Sequence, residues 1–306
     1  MRMYRSFDRL LISAILCALV SAGCCMAFAQ RPRSTSENAP SIIIAAPEGA
    51  VIWLDRLRYG TIGPSGEIPI YNLKPGTHSL KARLKGKHEI SQSVSVSASG
   101  TQRTTLKFAV DADKADLHFQ SAEELRESGK HKEAIKEYRL ALASSKNAWP
   151  SARIGLARSL MANEDSEGAM TQARLAIKES GGKNPEAYTV MGNTRRFQGL
   201  YDFAITNYLQ ALEEANGFSP EARTGLALAY QDRNRPEEAI EQYQLAAKQA
   251  NGTEPVIYFL LGTSLDRQMR LSEAIEAYDK YLELEPNGRQ ANAIKSIIKQ
   301  LRKMAQ

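Results

Sequence analysis

The sequence predicts a multidomain chain of α and β structure, in which a small β-sandwich-like module precedes an all-α solenoid of five helical hairpins and a C-terminal capping helix. Three observations predict it. Residues 41–110 hold six short apolar runs with turn residues between them; residues 115–286 repeat one pattern every 35 positions; and residues 287–306 carry one further amphipathic stretch. Pattern of period two indicates strands, and a long internal period indicates stacked helical repeats.

The first 29 residues read as a separate export signal. Arg2, Arg5 and Arg9 precede an uncharged stretch from Leu10 to Ala29 that ends Ala27-Phe28-Ala29, the order of a basic region, an apolar region and a small-residue cleavage site. Two other readings compete with cleavage. The same stretch is barely long enough to remain as a membrane anchor, and Ser21-Ala22-Gly23-Cys24 resembles the lipidation site of bacterial lipoproteins, with Ser21 where Leu is usual. Cys17, Cys24 and Cys25 are the three cysteines of the chain. A chain cut after Ala29 therefore has no disulfide, thiolate metal site or Cys nucleophile. Residues 30–40, polar and rich in Pro and Ser, read as a linker.

Within residues 41–110 the expected strands are Ile42 to Ala46, Ala50 to Leu54, Ile68 to Tyr71, Ser79 to Leu84, Ile90 to Val96 and Thr104 to Val110. Leu80, Ala82 and Leu84 alternate with Lys81, Arg83 and Lys85, and Leu106, Phe108 and Val110 alternate with Lys107, so each strand should have one buried and one wet face. Pro47-Glu48-Gly49, Pro64-Ser65-Gly66 and Pro75-Gly76 supply turns. These words, with Val51 to Asp55, Gly60-Thr61 and Leu73 to His78, resemble a PEGA domain, a small β module of bacterial envelope proteins. The family's Asp-Gly is Asp55-Arg56 here, and its Thr-Pro is spread over Thr61 to Pro64.

The module is basic, with nine Lys or Arg against four Asp or Glu in residues 41–108, whereas residues 109–306 hold 26 against 28. A basic balance confined to so short a segment gives no support for a nucleic-acid partner. Lys81, Arg83, Lys85 and Lys87 would suit an anionic envelope surface, and the competing reading is a solvated strand face that discourages edge pairing.

The array begins near residues 115, 150, 185, 220 and 255. Ala134, Ala169, Ala204, Ala239 and Ala274 fall 35 residues apart. Twelve residues before them stand Ala122, Ala157, Gly192, Ala227 and Gly262, and four after them Tyr138, Ala173, Tyr208, Tyr243 and Tyr278. Two antiparallel helices approach closely only where the crossing residues are small, and an aromatic can then fill the space between neighbours. Pro150, Pro185, Pro220 and Pro255 suit first-turn positions. The spacing resembles the tetratricopeptide repeat, with the additional residue expected between repeats. Repeat two departs most, with Glu164 at the turn glycine and Ala173 in place of the aromatic. After Pro286, Ala291, Ile294, Ile297, Ile298 and Leu301 form an apolar stripe opposite Arg289, Lys295, Lys299, Arg302 and Lys303, as a capping helix requires.

No catalytic motif stands out. The four histidines lack metal-ligand spacing, and no phosphate-cradling glycine loop or Gly-x-Ser-x-Gly is present. The chain therefore reads as a non-enzyme that needs no cofactor. The resemblance to tetratricopeptide repeats implies a protein or peptide ligand on the concave side, lined by the first helix of each hairpin. Carried over residue by residue, it gives Arg158, Asn193, Arg196, Phe197, Gln231, Asp266 and Arg267 as candidate partner contacts, and Phe119, Glu123 and Arg126 as their first-repeat counterparts. The expected function is an exported scaffold of the bacterial cell envelope, most consistent with the periplasm, in which the groove binds a partner and the β module docks elsewhere. The alternative is a structural component attached through the β module or through a lipidated or retained N-terminus.

Overall fold

The computed structural model describes residues 41–304. The expected signal and linker, with the three cysteines, lie outside them. The described residues form two compact units that divide between Ala148 and Trp149.

The first unit opens with seven strands: β1 Ile42–Ala45, β2 Val51–Leu54, β3 Leu57–Thr61, β4 Glu67–Ile70, β5 Gly76–Arg83, β6 Ile90–Val96 and β7 Gln102–Thr105. They form one sheet of order β4-β1-β7 and another of order β3-β2-β5-β6. All pairings are antiparallel except β1 with β7. Ile42 and Ile44 from the first sheet and Ile52, Leu54, Leu80, Ala82, Val94 and Val96 from the second share one core, so alternate residues of each strand face inward.

Two expectations in this module need correction. Strand β3 was not foreseen, because its turn is Asp55-Arg56, with φ of 48° and 69°. Both residues adopt the left-handed conformation that a two-residue hairpin turn demands. Asp55 is held there by β5: its carboxylate accepts from the Ser79 N–H at 2.9 Å and lies 2.5 Å from His78 Nδ1. The alternation expected to run through Val110 stops at Thr105 instead. Leu106 still donates to Ala45 O at 2.8 Å, but the chain then turns toward the β5–β6 connection, where His88 N donates to Val110 O and Ala112 N to Gly86 O, both at 3.0 Å. Val110 is exposed as a result.

The unit ends with the first hairpin, α1 Lys114–Glu127 and α2 His131–Ser144. Asp113 caps α1 in a reciprocal box with Asp116, satisfying two orphan N–H groups. The second unit holds four more hairpins: α3 Pro150–Ala162 with α4 Ser166–Glu179, α5 Pro185–Phe197 with α6 Tyr201–Glu214, α7 Pro220–Asp232 with α8 Pro236–Gln249, and α9 Pro255–Arg267 with α10 Leu271–Leu284. Helix α11, Ala291–Met304, follows and packs on α10 through Ala291, Ile294, Ile298 and Leu301.

The 35-residue period has a local origin. Each turn inside a hairpin has one left-handed residue at the same register, namely Gly129, Glu164, Gly199, Asn234 and Met269. Such a residue ends a helix by turning its own N–H and the next one back to donate to the helix's last carbonyls, as Gly129 does to Arg126 O and Lys130 to Leu125 O. The added residue falls between hairpins, where five-residue connections such as 180–184 and 215–219 separate the helices. Asn184 and Ser219 cap the helices that follow, each immediately before a first-turn proline.

Candidate partner-binding surface

The surface in question is built from the first helices of the hairpins, and its rigidity comes from what lies beneath. Tyr138, Tyr208, Tyr243 and Tyr278 are at most 1% exposed. The ring of Tyr208 fits only because glycine stands on both sides of it. A methyl group at Gly192 would lie 2.6 Å from Cε1, and one at Gly225 would lie 2.5 Å from Cζ. Repeat two solves the same packing problem with exchanged volumes. Ala173, in the aromatic position, shares its core with Val190, which stands at the register of Gly225. The departure there is therefore compensated by its neighbour.

Each of these tyrosines also has a hydroxyl that must be satisfied once buried. Tyr208 donates to Asn193 Oδ1 at 2.6 Å and Tyr243 to Gln231 Oε1 at 2.7 Å. Tyr278 donates to Thr263 Oγ1 at 3.3 Å, and Tyr138 donates to Glu123. All four partners come from first helices, fifteen or twelve residues upstream of the ring. Burial pushes the Tyr278 phenol up to about 12, and moves Tyr208 and Tyr243 further in the same direction. These groups are neutral donors at any physiological pH.

The seven candidate contacts divide accordingly. Asn193 and Gln231 stand half-buried, each holding a tyrosine hydroxyl. Arg196 donates to Asp232 at 3.1 Å, and its Nε is buried without a partner. Asn193 and Arg196 meet at Tyr208, with Asp232 on Arg196, and the Gln231–Tyr243 pair joins this polar network through the electrostatic influence of Arg196 on Tyr243. Arg158 reaches Glu221 at 2.7 Å and approaches Glu186 at 3.9 Å, bridging three successive repeats. Phe197 is 53% exposed at the end of α5. Asp266 is held above the usual carboxylate range by burial, which neighbouring Arg267 only partly offsets.

Sequence reasoning missed the acidic partners Glu186, Glu221 and Asp232. Glu186 and Glu221 sit at one register, 35 residues apart, and this was the available signal. It also missed Glu254, a half-buried residue at the start of α9, whose carboxyl is raised by burial and by the Glu221 charge. Among the described residues no cluster of His, Cys, Asp and Glu is arranged to hold a metal ion. No helix among them is long and apolar enough to cross a membrane.

The basic strand face also needs correction. Arg83 is largely buried, donating to Glu89 at 2.9 Å and to Glu123 at 3.2 Å. Lys85 pairs with Glu124 and Lys87 with Asp111. Lys81 lies 5.2 Å from the Trp53 ring centroid and 3.9 Å from Glu89. The cluster divides: Arg83 is buried against carboxylates of the same unit, whereas the Lys85 side chain is 82% exposed even beside Glu124.

Comparison with known proteins agrees with the repeat geometry. The model of the tetratricopeptide repeat matches residues 119–185 and 189–255, and a second tetratricopeptide repeat model matches residues 255–287. Similar solved structures include that reported in a functional characterization of pilF of Pseudomonas aeruginosa, with 16% identity, a TM-score of 0.51, and coverage of 62% of this chain and 84% of that one. A thermophilic tetratricopeptide protein of Thermus thermophilus has 17% identity, a TM-score of 0.52, and coverage of 61% and 98%. At these identities the likeness concerns the fold. A search among curated proteins finds no match. Together the two repeat models account for more than half of the chain, and the geometry beneath them is theirs: the chain belongs to the tetratricopeptide repeat family.

Proposed function

We propose that this protein is an exported, non-enzymatic scaffold of the bacterial cell envelope that holds a partner protein or peptide on the first-helix face of its repeats. Tetratricopeptide repeat proteins as a class bind such partners. The observation that carries the reading is the network of Asn193, Arg196, Gln231 and Asp232. It presents half-buried polar groups from successive first helices on a packed foundation, with Phe197 exposed beside it. Preorganised polar groups lose little entropy on binding, and an exposed aromatic supplies the apolar anchor that interfaces favour.

Export rests on the basic, apolar and small-residue order of residues 1–29. The β module is PEGA-like in its turn words, and in the alternative reading it, or a lipidated or retained N-terminus, attaches the protein to the envelope. An anionic surface as partner of this module has less support than the basic sequence suggested, because Arg83, Lys85 and Lys87 already face carboxylates.

The test is capture from an envelope extract by the immobilised full chain and by the double variant R158A/R196A. Loss of a specific bound protein with the helical circular dichroism retained supports the reading. Undiminished capture removes the first-helix face as the binding site. The mass of the mature N-terminus tests export independently, a start at Gln30 being expected.

A further inference from the structure

We infer that the β module is a built-in cap of the helical array: the β5–β6 turn occupies, from within the chain, the face of α1 that meets the preceding hairpin in later repeats, and Arg83 of β5 covers the adjoining partner-facing register at Glu123. Partner recognition is thereby confined to repeats two to five, a consequence that rests on the function proposed above.

Two residues of α1 that depart from their columns, Gln120 and Glu123, meet the β module. At one register the later repeats have Gly155, Val190, Gly225 and Leu260, whereas the first has Gln120. Its buried amide accepts from Gly86 N at 2.9 Å and donates to Lys87 O at 2.7 Å. A hairpin packing only on another hairpin needs no such group. A buried amide is tolerated where its donors and acceptors are matched, and here the β5–β6 turn supplies the match. Asp116 stands where later repeats have Ser151, Glu186, Glu221 and Val256, and its carboxylate lies 2.8 Å from His88 Nδ1.

The third contact involves the partner-facing register itself. Glu123 corresponds to Arg158 and Asn193, and it receives Arg83 of β5 together with Arg126 of its own helix. The Arg83 guanidinium lies 5.1 Å from the Trp53 ring centroid and 4.9 Å from that of Phe119, between one ring of the β module and one of α1. Partly desolvated cation–π contacts of this kind add to the ion pair they accompany. The connection from β7 to α1 is itself hydrogen-bonded to the turn through His88, Val110, Gly86 and Ala112, so no free linker separates the two parts. Glu123 is drawn in two directions: burial alone would raise its carboxyl, but Arg126 and Arg83 hold it well below the usual range. Removing one member of such a cluster strands the others, which is far costlier than losing an exposed pair.

Native-state hydrogen exchange of the full chain in graded urea tests the cap. Amides of β5–β6 and of α1–α2 should open with one free energy and one urea dependence, as a single cooperative unit does. In Arg83→Met both segments should exchange faster by the same factor, on the order of a hundredfold. Different urea slopes for the two segments in the unmodified protein overturn the inference even if the variant does not fold. So does α1–α2 protection that survives when β5–β6 protection is lost. Exchange involves no partner, so this result is independent of the proposed function. A photoreactive residue at Glu127, the first-repeat register of Phe197, reads the confinement separately: a partner cross-link there overturns it, and its absence alongside a cross-link at 197 supports it.

Discussion

Replacing Gly225 by alanine should destabilise the second unit, although the same change at an ordinary helix position would stabilise it. Gly225 lies inside α7, where alanine is favoured over glycine by about 1 kcal/mol. Against this stands the Tyr208 ring, fully buried, with its Cζ 2.5 Å from where the new methyl would lie. The ring has little room to retreat toward α5, because it lies so close to Gly192 that a methyl there would stand 2.6 Å from it. Overpacking of a closed core costs about 1–3 kcal/mol, and sometimes more. An approach as short as 2.5 Å belongs to the upper part of that range, about 2–3 kcal/mol. After the helix preference is subtracted, the net expectation is a loss of about 1–2 kcal/mol, or roughly 2–8 °C in Tm for a unit of this size. Gly225→Val should cost more. The chain itself contains the compensated pair, Ala173 with Val190, so Y208A/G225V should recover part of the sum of the two single losses, with a coupling of about 0.5–3 kcal/mol. Urea unfolding followed by circular dichroism measures all of these variants against the unmodified chain. A neutral or stabilising Gly225→Ala, or strictly additive losses in the double variant, would refute the packing argument.

Four further outcomes are expected. Glu164→Gly and Met269→Gly each relieve a left-handed residue at a turn whose counterparts are Gly129 and Gly199, and should stabilise by up to about 1 kcal/mol in urea titrations. Asp113→Ala removes the capping box of α1 and should cost about 1 kcal/mol in unfolding of the first unit. His88 has a raised pKa because its ring hydrogen-bonds to Asp116. The stability it contributes is fully present below its unfolded pKa of about 6.5 and is lost as pH rises through the folded value. Its NMR titration midpoint should fall toward 6.5 in Asp116→Asn. Glu254 has a raised pKa because of burial first and the Glu221 charge second, so its ionisation opposes folding as pH rises. Glu254→Gln should raise Tm at pH 7, and the gain should vanish near pH 4, where the carboxyl is largely protonated.

How much of this was legible in the sequence depended on whether a feature repeats. The alanine and tyrosine registers, the first-turn prolines and the apolar stripe of α11 recur, and packing places each where its period says. Strand β3 was hidden because Asp55-Arg56 forms a turn usually marked by glycine, and because the burial of Leu57–Thr61 does not alternate strictly. The uses of Asn193 and Gln231 were hidden for a different reason. Register identifies the helix face on which a side chain lies, but not whether a buried hydroxyl from the next helix will claim it. The same holds for the basic strand. Lys81, Arg83, Lys85 and Lys87 alternate as a wet face should, yet the carboxylates that meet three of them lie 24 to 40 residues away, beyond any local pattern. Gln120 was legible in principle, as the one polar residue in a column otherwise of glycine and aliphatic residues.

The most direct measurement of the central claim is site-specific photocross-linking in cells of the full chain, with a photoreactive residue at Phe197 on the first-helix face or at Leu209, equally exposed on α6. The account predicts a discrete protein adduct from position 197 and none from 209. An adduct from 209 with none from 197 would contradict it, placing the partner on the outer helices instead.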